Sequence, residues 1–386
     1  MEAGAKVTRR AALTRLGGAL AGGLLASACG SLQAGSGAGA SGSPELLWRR
    51  QVGVDSLVVS GDTLSLGTEA LDAATGKPRW SIGSDVKPRA VAFAAGGGMV
   101  LCSGTNANGA DNITALSAAT GHLRWTAPAD VGNPNNGAGP WLTFADNAVY
   151  ALIGLPGSHD VSRDEVVLAL DGRTGARTWM SRLPPMATAM AVAGGTVYAG
   201  SALGPQSTSG QVVALDGATG ARRWSAMVGA PIGALTVTEG VVAGCWDYLI
   251  PFQRTPPLMF GLNAADGRIL WQRDVGAVLA RIASADGLVF ALDLANGGLL
   301  AVDALTGTLR WKHTTGGQYP SAPVVAGGTV YVGYLNSVQA FSARTGQQLW
   351  SYPVDGPVTS LAASGDTLYV ARYAATPGYT LYALRV

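Results

Sequence analysis

From residue 45 onward the chain alternates short apolar runs with glycine-rich turns. GGTVYAG at 194–200, GGTVYVG at 327–333 and GDTLYVA at 365–371 share one pattern. A tight Gly-Gly or Gly-Asp pair precedes alternating Val or Leu and Tyr, which predicts a hairpin with period-two side-chain alternation. A second pattern follows each hairpin: an apolar pair, then Asp, Ser or Asn, then a turn ending in Gly, then Trp. It reads ALDAATGKPRW at 70–80, ALSAATGHLRW at 115–125, ALDGRTGARTW at 169–179 and ALDGATGARRW at 214–224. It recurs as GLNAADGRILW at 261–271, AVDALTGTLRW at 301–311 and AFSARTGQQLW at 340–350. The glycine supplies the left-handed backbone that such a turn needs. Each repeat is thus predicted to be four antiparallel strands: inner strand, Val-Tyr strand, Ala-Leu-Asp strand and outer Trp strand.

The seven tryptophans, Trp80, Trp125, Trp179, Trp224, Trp271, Trp311 and Trp350, are spaced 39 to 54 residues apart. That period belongs to propellers. An eighth unit is split between the ends. ELLWRR at 45–50 puts Trp48 in an outer-strand context, and TLYALRV at 380–386 supplies an Ala-Leu strand with no Trp strand after it. The predicted fold is all-β: an eight-bladed β-propeller with four-stranded antiparallel blades, closed by N- and C-terminal strands that share a blade. Closure of this kind removes exposed sheet edges within the ring. The periodic tryptophans are expected to be structural, each indole packing over a turn of the next blade.

Composition agrees with many short strands: 55 glycines, 19 prolines and only 13% charged residues. The formal net charge is +2, and residues 1–28 carry Lys6, Arg9, Arg10 and Arg15 against Glu2, so the remainder is close to neutral. Nothing electrostatic points to nucleic acid.

The first 43 residues read as an address and a tether. Residues 1–29 have a basic region, an apolar stretch of small residues and a cysteine, which is the pattern of an export signal. Arg9 and Arg10, with Leu13 three places on, are similar to a twin-arginine motif, although Ala12 stands where a larger residue is common. Leu25-Ala26-Ser27-Ala28-Cys29 resembles a bacterial lipobox with the leucine one place too far out. It makes Cys29 the candidate lipid anchor, and acyl chains at roughly 0.8 kcal/mol per buried CH₂ hold a protein to a bilayer. The other reading is plain secretion or an uncleaved anchor. Residues 30–43, GSLQAGSGAGASGS, have the composition of a flexible linker. The propeller is assigned to 44–386.

The Ala-x-Asp-x-x-Thr-Gly-x-x-x-Trp repeat is similar to the tryptophan-docking motif of the pyrroloquinoline-quinone (PQQ) repeat family, over roughly residues 45–386. That family has an enzymatic branch, the quinoprotein alcohol dehydrogenases, and a non-enzymatic BamB-like lipoprotein branch that binds proteins. The resemblance implies PQQ, calcium and a vicinal disulfide for the first. Here Cys102 and Cys245 lie in different repeats and no CxxC or Cys/His cluster exists. Asn106, Asn108, Asp111 and Asn112 are the nearest thing to a calcium set, but they read as a polar hairpin tip. PQQ is therefore not expected as a cofactor, no metal site is assigned and no catalytic residue is named. His122, His159 and His313 form no triad with Ser and Asp. What the resemblance carries over is an extracytoplasmic propeller scaffold, not a particular partner.

Longer connections mark where a repeat protein is customised. Residues 103–112, 127–139, 154–165, 201–210 and 245–259 are predicted to fall on one face, while the Ala-Thr-Gly turns on the other stay short. In 245–259, Trp246, Tyr248, Phe252 and Arg254 combine aromatic area with a guanidinium, the composition of interface hot spots. The same side chains would also suit packing back onto the propeller. Asp55, Arg89 and Arg281 are the charged residues placed nearest the central channel. The expected function is a monomeric, membrane-tethered scaffold or sensor that faces outside the cytoplasm and binds an envelope or cell-surface protein or peptide. The alternatives are a PQQ-dependent oxidoreductase, or a secreted receptor that takes a small anionic ligand in its channel.

Overall fold

The computed structural model describes residues 43–53, 57–67, 69–82, 93–105, 111–129, 141–154, 165–203, 209–245, 258–275, 279–293, 297–314, 321–374 and 378–386. Among them, 32 strands form eight four-stranded antiparallel sheets. Seven sheets follow chain order from the inner to the outer strand. Blade one, for example, is Val58–Ser60, Thr63–Ser65, Glu69–Asp72 and Pro78–Ser81. Blade eight takes its inner three strands, Val358–Ser364, Thr367–Ala374 and Gly378–Arg385, from the C-terminal segment. Its outer strand is Glu45–Val52. The two ends meet in register, with Trp48 opposite Ala383 and Val52 opposite Tyr379. The ring is closed by hydrogen bonds where every other blade has a turn.

The second strand of each blade explains the Val-Tyr pattern. Thr196–Ala202 in blade four and Val241–Cys245 in blade five are buried at every position. A strand in the middle of a blade has neighbouring blades on both faces, so it reads as continuously apolar. The buried side chains sort into eight clusters, one for each junction between adjacent blades. In blade three, Val149, Ala151 and Ile153 pack toward blade two, whereas Tyr150 and Leu152 pack toward blade four. The core is thus distributed around a ring. Each junction is a small sheet-on-sheet interface, and stability is close to a sum of neighbour terms.

One irregularity recurs in all eight blades. The register between third and outer strands shifts immediately after the residue opposite the tryptophan, as at Ala169/Leu170, Ala214/Leu215 and Ala301/Val302. The split blade shows it too, between Leu46 and Trp48. A bulge increases local twist and re-aims the side chains beside it. Here it sits next to each repeated tryptophan.

Candidate functional site

The antiparallel order gives the propeller two different ends. At one end lie the hairpins between inner and second strands and the turns between third and outer strands, all short. At the other lie the connections from second to third strand and from each blade to the next.

The short-turn end is built by the repeated motif. In blade one, Asp72 Oδ1 accepts hydrogen bonds from Thr75 N at 2.8 Å and Thr75 Oγ1 at 2.7 Å. Gly76 N closes the turn onto Asp72 O at 2.8 Å. Asp171, Asp216 and Asp303 hold their threonines in the same way. The arginine preceding the tryptophan reaches back to the same carboxylate. Arg79 meets Asp72 at 2.6 Å, Arg223 meets Asp216 at 2.7 Å, and Arg310 meets Asp303 at 2.6 Å. Hydrogen bonding from Arg79 and then Thr75 lowers the Asp72 pKa to about 2. Arg223 and then Thr219 lower Asp216 to about 2. Carboxylates so fully engaged are poor general bases near neutral pH, so these residues hold turns together.

The neighbouring blade's tryptophan covers each turn. Trp48, Trp80, Trp125 and Trp179 donate Nε1–H to Ala73, Ala118, Gly172 and Gly217 carbonyls at 3.1, 2.7, 3.0 and 2.9 Å. Trp224, Trp271 and Trp311 donate to Ala264, Ala304 and Ala343 at 3.0, 2.7 and 2.9 Å. The turn glycine lies under the indole face. At Gly220, with φ +72°, an added Cβ would stand 2.6 Å from Trp179. The position thus requires glycine for both backbone and space. Trp350 is buried against Tyr331, Leu384 and the rest of the junction between blades seven and eight.

The tyrosines of the second strands form a feature that the sequence pattern did not single out. Tyr150, Tyr198 and Tyr369 donate to Gly217, Ala264 and Ala73 carbonyls, the same oxygens that Trp179, Trp224 and Trp48 use. The sequence signal is only the recurring tyrosine of the Val-Tyr pattern; the register supplies its neighbours, with Tyr198 opposite Ala214 and Ala214 opposite Trp224.

Most residues singled out for binding lie outside the described residues. These are Trp246, Tyr248, Phe252 and Arg254 of segment 245–259, Asp55 and Arg89, expected near the channel, and Arg9, Arg10 and Cys29 of segment 1–29. The described flanks show where the insertions attach. Gly154 pairs with Glu165, Ala202 with Gly210, and Cys245 with Met259, all at the end opposite the docked turns. Arg281 is described. It is the bulged residue of blade six's inner strand, between Ala280 and Ile282, and it holds φ at 61°. Non-glycine residues rarely adopt that backbone. Thr188 and Thr359 occupy the corresponding bulges of blades four and eight. Thr188 donates to the Ile232 carbonyl, and Thr359 to that of Ala371 at 3.2 Å.

Cys102 and Cys245 are buried thiols in blades two and five. Burial pushes the Cys102 pKa up to about 12, so its thiolate is not accessible at neutral pH. Among the described residues, no group of three or more His, Cys, Asp and Glu is arranged to hold a metal ion. His122 lies in a blade-two turn, and His313 packs on Phe341 at 4.8 Å, so the two are in different blades.

A family model described as outer membrane protein assembly factor BamB matches residues 45–243 and 260–386. The gap between the matched stretches, 244–259, contains the aromatic insertion. A curated relative, BamB of Burkholderia pseudomallei, is 30% identical over 132 residues, covering 32% of this chain and 34% of the relative. The matched region is thus about a third of that protein's length. Among solved structures, BamB from Moraxella catarrhalis aligns with a TM-score of 0.60 at 17% identity, over 89% of this chain and 100% of that one. Quinohemoprotein alcohol dehydrogenase from Comamonas testosteroni aligns with a TM-score of 0.61 at 15% identity, over 88% and 76% of the two chains. Likeness to an assembly factor and to an alcohol dehydrogenase at such identities shows the fold alone.

Proposed function

Because the chain belongs to the family of the outer membrane protein assembly factor BamB, we propose that it is an extracytoplasmic, membrane-tethered propeller that holds an envelope protein and catalyses nothing. The observation that carries this reading is the family match, which reaches all eight blades. The tether is supported by the lipobox-like segment ending at Cys29 and the Gly/Ser/Ala linker that follows. Export is supported by Arg9 and Arg10 ahead of the apolar stretch.

The partner-binding region in this reading is the end that bears the long connections, with Trp246, Tyr248, Phe252 and Arg254 as its anchors. That the family model passes over 244–259 supports a surface particular to this chain, and hence a partner particular to it. Large aromatic side chains and arginine dominate binding energy where an interface excludes water. The test is in-cell crosslinking and affinity capture of the tagged protein beside its Trp246→Ala/Tyr248→Ala variant. A discrete envelope protein that is captured by the first and lost by the second is the expected result. Equal capture by both moves the contact elsewhere.

Arg281 favours a second reading, in which the channel holds a small anion. A non-glycine residue kept in the left-handed region on an inner strand is the kind of strain found at ligand sites. If capture yields no specific protein, titration with small organic anions against Arg281→Gln decides this reading. The quinone alternative is tested with PQQ and calcium, where the expected result is no saturable change in quinone absorbance.

A further inference from the structure

The short-turn end is not uniform around the ring. A cleft of about 520 Å³ opens there across blades five, six and seven, lined by residues of their hairpins and turns. That volume lies within the range of small-ligand and peptide side-chain sites. Its chemistry is ordered by the topology. Nearest the axis stand Glu239 and Asp286, in the hairpins between inner and second strands of blades five and six. Farther out stand Leu305 and Arg344, in the turns between third and outer strands of blades six and seven.

Three of these groups have no internal answer. The side chains of Glu239, Asp286 and Arg344 take part in no hydrogen bond or ion pair among the described residues, whereas the cleft's other guanidinium, Arg310, is tied to Asp303. Leu305 is 63% exposed, which the turn does not require. The same position in the other motif turns is Ala74, Ala119, Arg173, Ala218, Ala265 and Arg344. The cleft therefore offers two carboxylates toward the axis and, farther out, an apolar side chain in blade six and a guanidinium at the equivalent position of blade seven. Two carboxylates are too few oxygens for a calcium cage. They complement one ammonium or guanidinium, as Arg344 complements one carboxylate.

From this arrangement, in which Leu305 belongs to the same blade as Asp286 and Arg344 to the next, we infer that the cleft binds a peptide segment whose side chains run basic, aliphatic, acidic. Its basic residue lies between Glu239 and Asp286, its aliphatic residue against Leu305 and its acidic residue on Arg344. This site is on the end opposite the long connections, so it does not depend on the scaffold reading above.

The probe is a fluorescein-labelled peptide of sequence Gly-Lys-Leu-Glu-Gly, titrated with the protein and read by fluorescence anisotropy. The control peptide is Gly-Glu-Leu-Glu-Gly. Saturable binding of the first and none of the second is expected. Glu239→Gln/Asp286→Asn should weaken it by about tenfold or more, with a shallower salt dependence. Leu305→Ala should weaken it without changing the salt dependence. Trp246→Ala/Tyr248→Ala should leave it unchanged. The carboxamide and leucine variants alter exposed positions, and unchanged thermal unfolding of every variant establishes that the fold is intact. Absence of saturable binding to the unaltered protein, equal binding of both peptides, or indifference to the double carboxamide variant would overturn the inference.

Discussion

Tyr150 and Trp179, both in blade three, donate to one oxygen, the Gly217 carbonyl of blade four, at 3.1 and 2.9 Å. Their rings stand 5.9 Å apart across Ala169, which is opposite both in the sheet register. A carbonyl has two lone pairs, so both donors are satisfied at once. The same arrangement joins Tyr198 and Trp224 to Ala264, and Tyr369 and Trp48 to Ala73. The last instance holds the seam of the ring.

Truncation and hydroxyl removal should therefore separate. Trp179→Ala loses a buried aromatic and leaves a cavity, at about 3–5 kcal/mol. Tyr150→Phe removes one of two donors to an oxygen that keeps the other, at about 1 kcal/mol. Urea unfolding of the two single variants and the double measures both values. A Tyr150→Phe loss as large as that of Trp179→Ala would contradict the shared-acceptor account.

Gly220→Ala should destabilise by more than about 1 kcal/mol, because left-handed backbone and a 2.6 Å approach to Trp179 both oppose a methyl group. Gly53→Ala has open space around it and should stay within about 0.5 kcal/mol of neutral. Thermal melts of the pair provide the comparison.

Acid should loosen the short-turn end. Asp72 and Asp216 have pKa values of about 2 in the fold against an ordinary 3.8. A carboxylate with a depressed folded pKa contributes stability that is present above its unfolded pKa and is lost as pH falls through the folded value. The window is thus from about pH 4 down to about pH 2. Stability against pH should fall less steeply across that window in Asp72→Asn/Asp216→Asn than in the unaltered protein.

The thiols of Cys102 and Cys245 should be silent to an aromatic disulfide reagent in the native Cys29→Ser protein and should react only after denaturation. Prompt native reactivity of either would show that its blade opens.

Removing residues 45–52 deletes the outer strand of blade eight and leaves the edge of Gly378–Arg385 unpaired. The expected result is loss of the unaltered protein's elution peak in size-exclusion chromatography, with aggregation. Arg385→Ala, which breaks only exposed ion pairs, to Glu45 and Asp366, should behave like the unaltered protein.

The sequence alone determined the ring. Seven copies of a turn-plus-tryptophan motif and two complementary ends specify eight blades, because period-two strands and left-handed turn glycines are local properties written into neighbouring residues. Even the Arg–Asp clamp is local, since Arg223 lies seven residues from Asp216. The shared carbonyl was not legible. Tyr198 and Ala264 are 66 positions apart, and only the stacking of one blade on the next brings them together. The cleft was hidden for the same reason. Glu239, Asp286, Leu305 and Arg344 read singly as turn residues, and only the stacking of three blades brings them to one cleft.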